Sequence, residues 1–166
     1  YQQTQDPSVT VRFKVRDHEY LSILAWTTTP WTLPSNMGLA VGADIEYVRV
    51  HMKKGEQLIL AKARLKEVFK RSEDGIDRVE IQPVEGLVGL HYEPLFPYFS
   101  ALSEQGAFRV VQADFVSTED GTGIVHIAPG FGEDDYQLGQ REGLPTVAPI
   151  DEDCCFTEEV SDYVGR

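Results

Sequence analysis

Two cysteines in 166 residues, adjacent at Cys154 and Cys155, cannot frame a disulfide scaffold. Neighbouring cysteines seldom pair with each other, so reduced thiols and a cytoplasmic setting are expected. Positive charge is scarce. Fifteen Lys and Arg against 27 Asp and Glu leave a net charge of −12. That argues against a free-standing nucleic-acid binder, because phosphate contacts supply much of such affinity. No apolar run approaches the ~20 residues of a membrane span, so no membrane is expected as a partner. A basic n-region followed by an apolar h-region is missing too, so no secretory signal is expected. The histidines, His18, His51, His91 and His126, are scattered without metal-ligand spacing, and neither a metal nor a cofactor is expected. A Cys/His dyad and a GxSxG elbow are both absent. The GTG and GFG turns lack the lysine of a phosphate loop and the full dinucleotide fingerprint.

What is present suits one globule. Hydrophobic residues make up 42% of the chain and charged residues 25%, an ordinary balance for a domain with a real core. At this length roughly 70% of the unfolded surface can be buried. The chain opens at Tyr1 without a methionine, and both ends are expected to be cut from something longer. Residues 1–8 are polar and expected to fray. Basic residues gather at Lys53-Lys54 and along Lys62, Arg64, Lys66, Lys70 and Arg71, where a solvated turn and a solvated helix face are the simpler reading.

Hydrophobic patterning predicts many short strands and two helices. Thr10–Arg16 alternates like a half-buried strand, and Leu21–Trp26 is a second strand. Leu39–Val41, Tyr47–His51, Gln57–Leu60, Arg78–Val84, Phe108–Ala113, Phe115–Val116, Thr122–Ile127 and Val147–Ile150 follow, with a glycine-containing hairpin at Lys53–Glu56. Ala61–Arg71 has helical spacing, with Ala61, Leu65, Val68 and Phe69 on one side. A second helix is predicted from Glu133 to Arg141, its first turn holding three carboxylates and Gly143 ending it. Gly86–Pro97 reads as an ordered surface loop, and Tyr92, Phe96, Tyr98 and Phe99 are better assigned to a core than to a pocket. The whole suggests a mainly β protein, a β-barrel core with peripheral α-helices, in a single domain over 1–166.

The stretch from Leu24 to Asn36, LAWTTTPWTLPSN, organises the rest. Pro30 and Pro34 bias the residues before them toward extended geometry and fit poorly inside a helix. A stiff, irregular segment lined with hydroxyls and amides is therefore predicted, able to hold a polar substrate or a water. The same residues also suit a strand end followed by turns.

This stretch resembles the threonine-rich motif of the editing (CP1) domain of isoleucyl-tRNA synthetases. A second block, GTGIVHIAPGFGEDDY at 121–136, resembles the family's other editing signature. The two lie in the family's order and at about its separation, with a looser match between and beyond them. Valyl and leucyl relatives typically carry Arg where this chain has Thr29, which favours the isoleucyl member. The resemblance implies a closed barrel decorated by helices. It implies that Asp135 binds the substrate's α-ammonium, that His126 lines the amino-acid pocket with Gly130 nearby, and that Thr27, Thr28, Thr29, Thr32 and Asn36 hold the ester, the terminal adenosine and the attacking water. Trp26 is a candidate pocket wall, and Trp31 is assigned to packing. At Phe131 the chain departs from the family, which often has histidine there, so Phe131 receives no polar role.

Read without the resemblance, Asp135 is one of three acids favoured at a helix N-terminus by ~0.3–1 kcal/mol each. Glu133 and Asp134 already meet that demand. His126, alone in an apolar strand, would pass for a structural residue.

The function implied is post-transfer editing. The ester of misacylated valyl-tRNA(Ile), and valyl-adenylate as a further candidate, would be hydrolysed as part of isoleucine–tRNA ligase. One methylene in an apolar pocket discriminates by only ~1–3 kcal/mol; the standard illustration is isoleucine against valine in this same family, so the figure is not a reading of this chain. A threonine hydroxyl has no general-base power, so water positioned by hydroxyls and amides is expected to attack. The partners implied are the 3′-terminal aminoacyl-adenosine of tRNA(Ile) and the remainder of a synthetase, the isolated domain being a monomer. With no HIGH-type or KMSKS-type signature, no aminoacylation is expected. The rivals are a non-catalytic module docking tRNA or a partner domain, and the editing domain of a valyl or leucyl relative.

Overall fold

A computed structural model describes residues 9–70, 73–95, 101–104, 106–119 and 121–145. The predicted frayed terminus 1–8, the strand at 147–150, Arg71, Phe96, Tyr98, Phe99, Cys154 and Cys155 lie outside them.

Among the described residues, eight strands form one sheet. They are β1 (Val9–Lys14), β2 (Leu21–Thr27), β3 (Gly38–Val41), β4 (Tyr47–Met52), β5 (Gln57–Ala61), β6 (Ile76–Gln82), β7 (Arg109–Gln112) and β8 (Val125–Ile127). Two α-helices accompany them, α1 (Leu65–Val68) and α2 (Glu133–Glu142). The sheet forks at β2. One edge pairs with β1 along its whole length, Val9 opposite Thr27 and Lys14 opposite Ser22. The other edge is shared: Leu21–Ile23 runs parallel to β5, while Trp26 pairs with Val125 of β8. From there the order runs β8, β3, β7 in one direction and β5, β4, β6 in the other.

The first branch closes on itself. Residues 89–93 bond on one flank to the end of β1, through Arg16 N–H to His91 O and Glu93 N–H to Lys14 O. On the other flank they bond to β7, through Val110 N–H to Leu90 O and Tyr92 N–H to Phe108 O. The ring encloses a core built on Phe13, Ile23, Ala25, Leu39, Val41, Ile59, Val110, Ile127 and Tyr92. Tyr92 stacks edge-on between Phe13 and Phe108, with ring centroids 5.1 and 6.1 Å away. The second branch is a wing with its own smaller core of Leu24, Val48, Val50, Leu58, Leu60 and Phe69. β2 serves both, since Leu21, Ile23 and Ala25 join the barrel core and Leu24 the wing. The same alternation carries Thr27, buried at the end of β2, to the barrel side.

Several predicted elements change. The first helix keeps its apolar side, with Leu65, Val68 and Phe69 against the wing. It is reduced to a 3₁₀ turn at Lys62–Arg64 and one turn of α-helix, because Ala61 is still extended in β5. Asp114–Phe115 is a bend and Val116 is irregular, so no strand forms at Phe115–Val116. The strand predicted from Thr122 begins only at Val125. Gly123 sits at φ +78° with Ala61 so close that a Cβ would lie 2.4 Å from it, and Thr122 Oγ1 donates to Ile124 O and accepts the Ile124 N–H. α2 ends as predicted at Gly143, in the left-handed region. Leu138 seats α2 on the barrel core, and Arg109 and Arg141 tie its last turn to β7, donating to Glu142 O and Gln112 O.

Candidate functional site

The threonine-rich segment is more regular than its prolines suggest. Pro30–Ser35 is a 3₁₀ helix made of two consecutive turns. Thr32 N–H donates to Thr29 O and Asn36 N–H to Leu33 O, both at 3.0 Å. Each proline therefore occupies the second position of its turn, where a fixed φ helps and no N–H is required. The tight winding turns hydroxyls three residues apart toward one another.

A continuous network results. Thr29 N–H donates to Thr27 Oγ1 at 3.0 Å. Thr29 Oγ1 stands 3.2 Å from both Thr27 Oγ1 and Thr32 Oγ1. The Thr32 hydroxyl donates to Thr29 O at 2.8 Å, and its oxygen lies 2.8 Å from His126 Nε2. Asn36 Nδ2 donates to Gly38 O at 2.9 Å and sits 2.8 Å from His126 Nδ1. Tyr92 donates its phenol proton to Asn36 Oδ1. Pairing of Leu39 with His126, where β3 lies antiparallel to β8, brings these residues together across 90 positions of sequence. Thr27, Thr32, Asn36 and His126 are all buried. Burial lowers the His126 pKa to about 4, so the ring is neutral at physiological pH.

Asp135 is carried by a different element. It stands in the first turn of α2, half-buried, and accepts the Ala128 N–H at 3.0 Å through Oδ2. Ala128 directly follows β8, two residues after His126. Desolvation raises the carboxyl pKa, the Ala128 hydrogen bond opposes this, and the neighbouring Asp134 adds to it. Among the described residues no cationic side chain pairs with it, and it makes no hydrogen bond to the threonines.

Of the predicted site residues, the fold joins Thr27, Thr29, Thr32, Asn36 and His126 directly, and Asp135 through the backbone beyond β8. Thr28 is exposed and makes no side-chain hydrogen bond among the described residues. Gly130 lies in the turn between β8 and α2, where Phe131 N–H donates to Ala128 O. Trp26 is half-buried and borders a hollow of about 440 Å³ with Arg12 and Arg64. Trp31, assigned to packing, is instead 53% exposed, since the 3₁₀ winding turns it away from the buried Thr32. Larger hollows of about 610 and 470 Å³, beside Asp44 and Ile45, include none of these residues. Tyr92 was not anticipated as a partner of Asn36. Its aromatic character signalled the core correctly, but nothing in sequence spacing ties its hydroxyl to position 36. Among the described residues no cluster of His, Cys, Asp and Glu could hold a metal ion.

The fold superposes on those of synthetase editing domains. The crystal structure of GlLeuRS-CP1 superposes with a TM-score of 0.67 at 17% identity, covering 81% of this chain and 59% of that one. The P. knowlesi cytosolic leucyl-tRNA synthetase editing domain gives 0.60 at 17% identity, covering 81% and 63%. In sequence, the chain is 52% identical to the isoleucine–tRNA ligase of Bdellovibrio bacteriovorus, matched along 100% of its length. That of Treponema denticola is 48% identical over 99% of the chain, and that of Tetrahymena thermophila 45% over 99%. No family model matches. The fold is thus that of an aminoacyl-tRNA synthetase editing domain. Within that class the chain belongs to the CP1 editing domains of isoleucine–tRNA ligases, and the valyl and leucyl alternatives fall away. It spans only 16–18% of these relatives' length. No helix among the described residues is long and apolar enough to cross a membrane.

Proposed function

We propose that this domain hydrolyses the ester linking a wrongly attached amino acid, valine foremost, to the 3′-terminal adenosine of tRNA(Ile), within a cytoplasmic isoleucine–tRNA ligase. The observation that carries the reading is the presence of two unlike halves beside β8: a network of neutral hydroxyls and amides, and a half-buried carboxylate with no cation among the described residues. An aminoacyl ester supplies the missing cation as its α-ammonium, next to the scissile carbonyl. A charge-assisted bond from the ammonium to Asp135 would fix that carbonyl in place. Thr27, Thr28, Thr29 and Thr32 would line the other side, with Asn36 and His126 behind them and Trp26 and Gly130 at the margins. His126 does not act as a base, since burial lowers its pKa to about 4 and both ring nitrogens are engaged. Placement of the ester and of a water then supplies the rate, a mechanism able to lower a barrier by several kcal/mol. The remaining parts of the synthetase would grip the tRNA, which reconciles a net charge of −12 with an RNA substrate.

The test is deacylation of valyl-tRNA(Ile) and isoleucyl-tRNA(Ile) by the chain and by a synthetase carrying it. Hydrolysis of the valyl ester with the isoleucyl ester spared is the expected result. No hydrolysis of either ester in either protein would leave a non-catalytic docking module as the correct reading.

A further inference from the structure

The network behind the threonines has a direction, and that direction can be worked out from what each atom is able to do. A carbonyl only accepts, so Gly38 O fixes the NH₂ end of the Asn36 amide at its side. The other end, Oδ1, receives the Tyr92 proton. Asn36 Nδ2 can only donate, so His126 Nδ1 must be an unprotonated acceptor. From the far end, the Thr32 proton is committed to Thr29 O, so Thr32 Oγ1 can meet His126 Nε2 only as an acceptor. Both constraints, taken independently, put the imidazole proton on Nε2. The order continues outward. With Thr32's proton engaged, Thr29 is the donor of the 3.2 Å contact between them, and Thr27 the donor to Thr29.

We propose that Tyr92 is a positioning residue. Together with Gly38 O it holds the Asn36 amide in the orientation that keeps His126 Nδ1 an acceptor, and so reinforces the one sense of the threonine hydroxyls that the Thr32–Thr29 bond begins, leaving Thr27 and Thr29 with spare lone pairs as an acceptor array. A water bound to such an array donates its protons into the rim and keeps its own lone pair free to attack a carbonyl. A rim of opposite sense would hold the same water by that lone pair. Tyr92 suits the task because it is fully buried, held between Phe13 and Phe108, and on the 89–93 strip that closes the barrel. A depressed His126 pKa, about 4, keeps the ring a single-proton element of the chain rather than a double donor.

The kinetic part rests on the deacylase reading, whereas the protonation part does not. Nitrogen-15 shifts of the His126 ring, measured at neutral pH, report the tautomer directly. The expected result is a proton on Nε2 in the parent chain. Tyr92→Phe keeps the aromatic packing but leaves Asn36 Oδ1 without its donor. It should give a mixture of tautomers and about a tenfold fall in kcat for the valyl ester, with KM unchanged. Asn36→Asp, which can only accept, should bring a proton onto Nδ1. A parent ring protonated at Nδ1 overturns the proposal, as does a Tyr92→Phe protein with parental tautomer and kcat. If Tyr92→Phe does not fold, the spectra of the parent and of Asn36→Asp decide alone. A chain without deacylase activity would sink the functional reading and still leave the ring spectra to judge the relay.

Discussion

The two halves of the candidate site are built on opposite principles. Around Thr27, Thr29, Thr32, Asn36 and His126, the described partners satisfy one another inside the protein, and no charge is involved. Asp135, by contrast, is an ionisable group half withdrawn from water, with one backbone donor and no cation among the described residues. Buried polar groups stabilise a fold only when partnered, so the first half is consistent with good packing. The second carries a desolvation cost that a bound ammonium would offset. One half is therefore internally partnered, and the other, on the proposed reading, is complete only with a bound ammonium.

Removing the unfinished part should do most to activity and least to the fold. Asp135→Ala is expected to lower kcat/KM for valyl-tRNA(Ile) by roughly a thousandfold or more, since it deletes a charge-assisted anchor at the reacting end. Far-UV circular dichroism and the melting temperature should stay close to the parent. Parental deacylation by a folded Asp135→Ala protein would refute the division drawn above. The finished half should behave the other way. Thr32→Val, nearly isosteric, strands His126 Nε2–H in a buried site and removes the link to Thr29. A loss of stability of about 1–3 kcal/mol by urea denaturation is expected, together with a fall in kcat. Unchanged stability would show that the network is not satisfied as described.

How far each half could be read from the sequence differs for the same reason. Asp135 was legible in place because a helix start is a local event: three acids in the first turn, Gly132 before them and Gly143 after, all within a dozen residues. The hydroxyl-rich character of Thr27–Asn36 was legible as well. Its shape was not, because proline disfavours a helix interior by the same missing N–H that suits it to the second position of a turn, where Pro30 and Pro34 both stand. The barrel was anticipated from strand number, while its closure by residues 89–93 was hidden in what read as a surface loop. Tyr92 and His126 meet Asn36 only through pairing between strands distant in sequence, and spacing along the chain carries no such information.

Acid should separate the halves further, through His126. Its folded pKa, about 4, lies below the ordinary 6.5. A base with a depressed folded pKa contributes stability above the unfolded value and loses it as pH falls toward the folded one. Stability should therefore decline from about pH 6.5 to about pH 4, by at most ~3 kcal/mol from this group. Melting temperatures of His126→Gln across the same window should fall less steeply than those of the parent. Parallel curves would mean that the ring is not the group responsible.

The smallest effect is the most discriminating, because its sign is opposite to the usual cost of mutation. Burial raises the folded pKa of Asp135 above its ordinary 3.8. For an acid shifted this way, the folded state holds its proton more tightly than the unfolded chain does. The ionised form is thus a burden on stability once pH passes the folded pKa, and the burden vanishes below pH 3.8. Asn at this position keeps an oxygen to accept the Ala128 N–H and carries no charge. Asp135→Asn should accordingly melt slightly higher than the parent at pH 7, with the difference shrinking as pH drops toward 4. A non-hydrolysable valyl-adenosine analogue should stabilise the parent and leave Asp135→Asn almost unmoved. Should the variant melt lower than the parent at pH 7, the carboxylate is a structural tie between β8 and α2 rather than a seat awaiting a cation.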